Sequence, residues 1–141
     1  MEHNVQFLNV SDIETRRSRR TRAKRVSPQL AGMIKTTVMQ IYNVPPDQML
    51  SPSRGAAQVA LARQVAMYLT HVIGRIDYAE VGRCFGRDRT TVQHACAVVE
   101  DRRDDPQFDR TVHLLEGIVE TLGGLSGNYP ARLVYCGAEQ Q

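Results

Sequence analysis

The sequence predicts an all-α fold, a compact bundle of about five helices containing a helix-turn-helix. Three observations predict it. Apolar residues recur at helical spacing in window after window, and no alternating run signals a strand. Helix-starting residues punctuate those windows at Ser27-Pro28, Asp77-x-x-Glu80 and Asp88. Between Cys84 and Ala95 the chain reads C-F-G-R-D-R-T-T-V-Q-H-A, the grammar of two helices meeting at a tight corner. Residues 27–122 carry this domain, residues 1–26 form a basic arm before it, and residues 123–141 are a tail to which the sequence assigns no structure.

In chain order, Met1 to Thr15 shows no sustained period and reads as flexible. Arg16, Arg17, Arg19, Arg20, Arg22, Lys24 and Arg25 then place seven cations within ten residues. Like charges at that density repel, so the stretch is expected to be a disordered arm that grips phosphates without reading sequence. A solubilising tail is the plainer alternative. Ser27 as N-cap and Pro28 at the first helical position open a helix to about Tyr42, with Leu30, Ile34, Val38 and Ile41 inward. Val44-Pro45-Pro46 ends it, and Pro46 to Met49 suits one short turn. Ser51 to Gly55 reads as a loop exposing Arg54 beside a glycine.

Ala56 to Val72 has no Pro or Gly and carries two apolar stripes. One is Val59, Ala62, Ala66 and Leu69; the other is Leu61, Val65, Tyr68 and Val72. This is the central helix, and Gly74 is its expected stop. Arg63 and Gln64 interrupt it, either as a solvated edge or as contacts to a ligand backbone. Asp77-x-x-Glu80 is a capping box opening a short helix that closes at Phe85. Gly86 supplies a positive-φ position and Asp88 caps the next helix, which runs to about Arg103. Val92, Ala95, Cys96 and Val99 turn one stripe into the core. Arg87, Arg89, Thr90 and Gln93 are left able to donate to phosphates or base edges. Asp105-Pro106 caps a last helix, with Phe108, Val112, Leu115 and Val119 inward, and Gly123-Gly124 is its expected stop.

Charge separates along the chain. Residues 1–25 sum to +4, residues 26–99 to +3 and residues 100–141 to −4. A basic front and an acidic back point to a polyanion partner for the front. Arg outnumbers Lys sixteen to two, which suits planar recognition of phosphate and guanine. Three cysteines without a C-x-x-C pair argue against a disulfide framework and a zinc site. Cys84 and Cys96 read as buried small hydrophobes in a reducing cytosol. No apolar run reaches membrane-spanning length, and the N-terminus lacks the apolar stretch of a signal peptide, so no secretory signal is expected. The four histidines lie far apart and no nucleophile sits in a recognisable frame, so no catalytic residue and no metal ligand is expected.

Three linked motifs give the corner a family. Ala62 to Leu69 reads A-R-Q-V-A-M-Y-L; Tyr78-Ala79-Glu80-Val81-Gly82 follows; then comes F-G-R-D-R-T-T-V-Q-H-A. Together they resemble the C-terminal DNA-binding domain of the bacterial replication initiator DnaA. That domain usually reads A-R-Q-x-A-M-x-L, then S-L-x-E-I-G, then F-G-G-R-D-H-T-T-V-x-H-A. The resemblance covers about Leu30 to Leu122. It implies a compact helical reader of DnaA boxes in double-stranded DNA. By it, Arg54 matches the minor-groove arginine, and Arg63 and Gln64 match phosphate and groove contacts. Asp88, Arg89, Thr90 and Thr91 match the recognition-helix residues, and His94 belongs to that helix. Physical chemistry points the same way: a helix N-terminus favours phosphate and base edges, and an arginine beside a glycine suits a narrow minor groove. Asp88 is expected both to cap the helix and to accept from a cytosine amino group.

The sequence departs from the family at the reader itself. One glycine of the corner is missing, Arg89 stands for the usual histidine, and Gln93 stands for an apolar residue. There is also no G-x-x-x-x-G-K-[ST], so no nucleotide and no cofactor are expected. The resulting expectation is a stand-alone, non-enzymatic relative, cytoplasmic and nucleoid-associated. It would regulate transcription or modulate replication initiation at DnaA-box-like sites. The alternative is an interaction module that kept the fold but lost specific DNA binding. A protein partner or a second copy would then dock on the last helix, where Glu116 and Glu120 lie opposite Leu115 and Val119.

Overall fold

The computed structural model describes residues 28–53 and 55–125. Ser27, the arm at 16–25, Arg54 and residues 126–141 lie outside them. The described residues form six helices and no strand. They are α1 (Pro28–Tyr42), α2 (Pro46–Leu50), α3 (Ala57–Gly74), α4 (Tyr78–Phe85), α5 (Arg89–Arg102) and α6 (Pro106–Leu125). The all-α expectation holds, and the single turn foreseen at Pro46 is the short helix α2.

Helix α3 is the centre of the bundle and packs against all five others. Its length without a breaker and its two apolar stripes leave ten of its residues buried. Val59, Ala62, Ala66 and Leu69 are buried as expected, with Val65 and Tyr68 from the second stripe. Val72 is corrected: it is 42% exposed, because the second stripe rotates out of the interface at the end of the helix. Ile41 is likewise 45% exposed. The inward ridge of α1 runs in steps of four, Leu30, Ile34, Val38, and its next member is the half-buried Tyr42.

Helix ends explain where the chain turns. Asn43 takes the left-handed position after α1 (φ 52°), with the Val44 amide donating to the Met39 carbonyl at 3.0 Å. After α3 the left-handed residue is Arg75 (φ 52°), one position beyond the glycine expected to stop the helix. An L-residue there costs about 1–2 kcal/mol. The turn is held by Nδ1–H of His71, which donates to the Ile76 carbonyl at 2.6 Å, and by the His71 ring stacked 4.5 Å from Tyr78. Helix α6 also runs past its expected stop. Gly123 is buried within it, and helix continues to Leu125.

Arg103 pins the far side of the bundle. Its Nε donates to Asp109 Oδ1 at 2.5 Å, and its Nη1 donates to Glu116 Oε1 at 2.9 Å and to Tyr68 Oη at 3.0 Å. Burial works against the guanidinium charge, but the bonds to Asp109, Glu116 and Tyr68 outweigh it and raise its pKa. α3, α6 and the residue capping α5 are thereby tied through one side chain.

Candidate nucleic-acid interface

The corner is built from local rules. Asp77 Oδ1 accepts from the Glu80 amide at 2.8 Å and opens α4. Glu80 in turn accepts from Arg83, one turn on, at 2.8 Å from Nε. Three residues, Gly86 to Asp88, separate α4 from α5. Gly86 adopts φ 62° and Asp88 Oδ1 accepts from the Thr91 amide at 2.7 Å. Both assignments match the sequence reading. Gly82 is needed for a different reason: an added Cβ would run into the carbonyl oxygen of Arg87. The Arg87 amide donates back to the Gly82 carbonyl at 2.9 Å, so the two backbones meet directly. This contact lets a three-residue turn bring α5 against α4.

Helix α5 divides into two faces. Val92, Ala95, Cys96 and Val99 are buried. Burial and then Glu100 push the Cys96 thiol up to about 11, so it stays a protonated core residue at neutral pH. Arg89, Thr90, Thr91, Gln93 and His94 are all exposed. Thr90, Gln93, His94 and Ala97 stand at i, i+3, i+4 and i+7, one continuous outer face. Asp88 is exposed too. The Thr91 amide, then the Thr91 side chain, hold its carboxyl below the usual carboxylate range. The outer face therefore begins at a free helix N-terminus with one carboxylate and a cluster of donors. It ends in Glu100 and Asp101, roughly 16 Å further along the axis.

The remaining site residues lie differently. Arg63 is only 8% exposed, so it does not form a solvated edge; its Nη2 donates to the Gln48 carbonyl at 3.3 Å. Burial first, and then the charge of Arg87, lower its pKa. Gln64 is half-buried beside it. Arg87 reaches back to the loop between α2 and α3. Its Nη2 donates to the Ser51 carbonyl at 2.6 Å, and its Nη1 to that of Pro52 at 3.2 Å. The structure thus gathers Asp88, Arg89, Thr90, Thr91, Gln93 and His94 on the outer start of α5. Arg63 and Arg87 turn instead to α2 and to the loop that follows it toward Arg54.

One residue absent from the sequence reading belongs to this region. Lys35 of α1 donates from Nζ to the Cys84 carbonyl at 2.5 Å and lies 4.6 Å from the Phe85 ring centroid. It places a cation at the C-terminal end of α4, where the helix dipole favours one. Its only trace in the sequence is a lone lysine inside an otherwise uncharged helix. Among the described residues no group of His, Cys, Asp and Glu is placed to hold a metal ion, and no helix is long and apolar enough to cross a membrane.

Comparison with known proteins converges on the same segment. Residues 31–99 match the family model described as the bacterial dnaA protein helix-turn-helix. The chromosomal replication initiator protein DnaA of Burkholderia multivorans is 40% identical over 93 residues, covering 64% of this chain and 17% of the relative. Those of Burkholderia vietnamiensis and Burkholderia mallei match over the same shares at the same identity. The chain thus spans about a sixth of the length of these relatives. A crystal structure of a DNA replication initiation factor superposes with a TM-score of 0.60 at 28% identity, covering 81% of this chain and 38% of that one. The matched segment begins in α1 and ends with the last buried valine of α5, so it contains the whole corner and the central helix beneath it. Over residues 31–99 the domain formed around that corner is thus similar to the bacterial dnaA protein helix-turn-helix.

Proposed function

We propose that the domain binds double-stranded DNA with sequence preference, laying the first turns of α5 in the major groove. Arg89, Thr90 and Thr91 are the readers, with Asp88, Gln93 and His94 at their edges. Arg54 lies in the adjoining minor groove, and Arg63 and Gln64 back the surface between. The observation that carries this reading is the outer face of α5: five exposed donor side chains at a capped but otherwise open helix N-terminus. The similarity to the dnaA helix-turn-helix supports the same chemistry, since the relatives are replication initiators by name. The role follows as a regulator of transcription, or a modulator of replication initiation, at DnaA-box-like sites on the nucleoid. DNA reading by this surface needs no catalytic group.

Arg89 offers a planar fork where a histidine is usual, so a guanine is the base it suits best. An unbiased selection of bound duplexes defines the preferred site. Arg89→Ala is then expected to cost about 1–3 kcal/mol on that site and to relax preference at one base position. Equal binding of selected and random duplexes by the parent protein would remove the proposal of a reader. An Arg89→Ala variant indistinguishable from the parent would remove Arg89 from it.

A further inference from the structure

Arg87 follows Gly86 in the corner, where a phosphate contact is the simple expectation for an arginine. Its side chain is committed elsewhere. One planar fork bridges two successive carbonyls, Ser51 and Pro52, which lie 36 and 35 residues upstream. Those carbonyls need an outside donor. The backbone at Ser51 is extended (φ −57°, ψ 136°) and α2 has already ended. The root of Arg87 is fixed as well, because its amide bonds to Gly82 and its carbonyl lies against the Gly82 Cα. A second guanidinium, Arg63, holds the Gln48 carbonyl in α2, the helix from which the loop departs. The loop is therefore held from the corner by Arg87, while α3 holds the helix that precedes it.

We propose that Arg87 is a positioning residue: a strut that fixes the α2–α3 loop at a set distance from the start of the recognition helix. Its contribution to DNA affinity passes through that loop and not through a phosphate of its own. The inference rests on the DNA-binding reading above. Two side chains fit the two roles differently. A phosphate contact keeps most of its value when Lys replaces Arg, because a point charge suffices. A strut does not, because an ammonium lacks the flat fork that meets two adjacent carbonyls. The loop and the first turn of α5 are separate reading elements, so their spacing selects which duplex accepts both at once. The strut thus adjusts preference without touching a base.

The test uses the full chain with Arg87→Ala and Arg87→Lys. Binding to the selected duplex is measured across a salt series, and amide hydrogen exchange is followed at Ser51 and Ser53. Both variants should lose about tenfold in affinity, roughly 1.4 kcal/mol. Their salt slope should match the parent's, and exchange at the two loop amides should accelerate while core amides of α3 stay protected. Melting curves confirm that each variant is folded. Parent-like binding by Arg87→Lys, or a slope shallower by about 0.9 in Arg87→Ala, identifies a phosphate contact and overturns the strut. Unchanged loop exchange in both variants overturns it too. If the parent binds no duplex, the DNA-binding reading has failed, and the strut stands or falls on loop exchange alone.

Discussion

Two glycines in helices of this domain occupy opposite situations. Gly82 sits where α4 meets the corner, and a methyl group there would collide with the Arg87 carbonyl, a backbone atom that cannot swing aside. Gly117 lies on the outer side of α6 with nothing within 4 Å of an added Cβ. Gly82→Ala is expected to lower stability by about 1–3 kcal/mol, the usual cost of overpacking. Gly117→Ala is expected to raise it by up to about 1 kcal/mol, because alanine restricts the unfolded chain and favours helix. Denaturant unfolding of both variants measures the difference, and equal effects would mean that the close approach at Gly82 is not structural. Local chemistry made some residues legible from sequence and distance hid others. Asp77, Gly86 and Asp88 act on partners within three or four residues, so their roles can be read from spacing. Arg87, Lys35 and Arg63 act across 36, 49 and 15 residues. Nothing in a linear pattern distinguishes an arginine that faces DNA from one that holds a loop.

At the scale of elements, the start of α5 is where structure and charge meet. Asp88 closes the helix by accepting from Thr91, and those bonds favour its ionised form. Its folded pKa is depressed, so the stability it adds is fully present above the unfolded value near 3.9 and is lost as pH falls through the folded value. Asp88→Asn keeps a capping oxygen but never carries the charge. The parent should therefore melt higher than Asp88→Asn at neutral pH, and the gap should close once the pH drops below the carboxylate range. A gap that persisted at low pH would show that the charge is not what distinguishes the two caps. The helices themselves were legible because their apolar periods are long and the starts of all but α3 carry Asp or Pro. Their ends were less so. α3 ends at Gly74 but leaves the left-handed position to Arg75, and α6 passes through Gly123, because packing on neighbouring helices outweighs the weak preference of a single glycine. Ile41 and Val72 were misplaced for a related reason: a stripe drawn at fixed spacing drifts off the contact line near a helix end.

For the whole molecule, charge decides how the domain approaches a duplex. The exposed start of α5 carries Arg89 and His94, while its far end leads into exposed Glu100, Asp101, Asp104 and Asp105. The proposed binding mode therefore has α5 enter the groove N-terminus first, with its acidic end lifted away from the phosphates. We propose that the seven cations between Arg16 and Arg25 grip DNA by charge alone, indifferent to sequence. Deleting them should weaken selected and random duplexes by the same factor. If all seven displace counterions, the deletion flattens the salt slope by up to about six. Removing Arg89 should do the reverse, eroding preference with little change in slope, because a base contact releases few counterions. Affinity titrations over a salt series separate the two directly. An arm deletion that spared random duplexes and hurt only the selected one would assign reading to the arm, and the division between a helix that specifies and an arm that holds would fail.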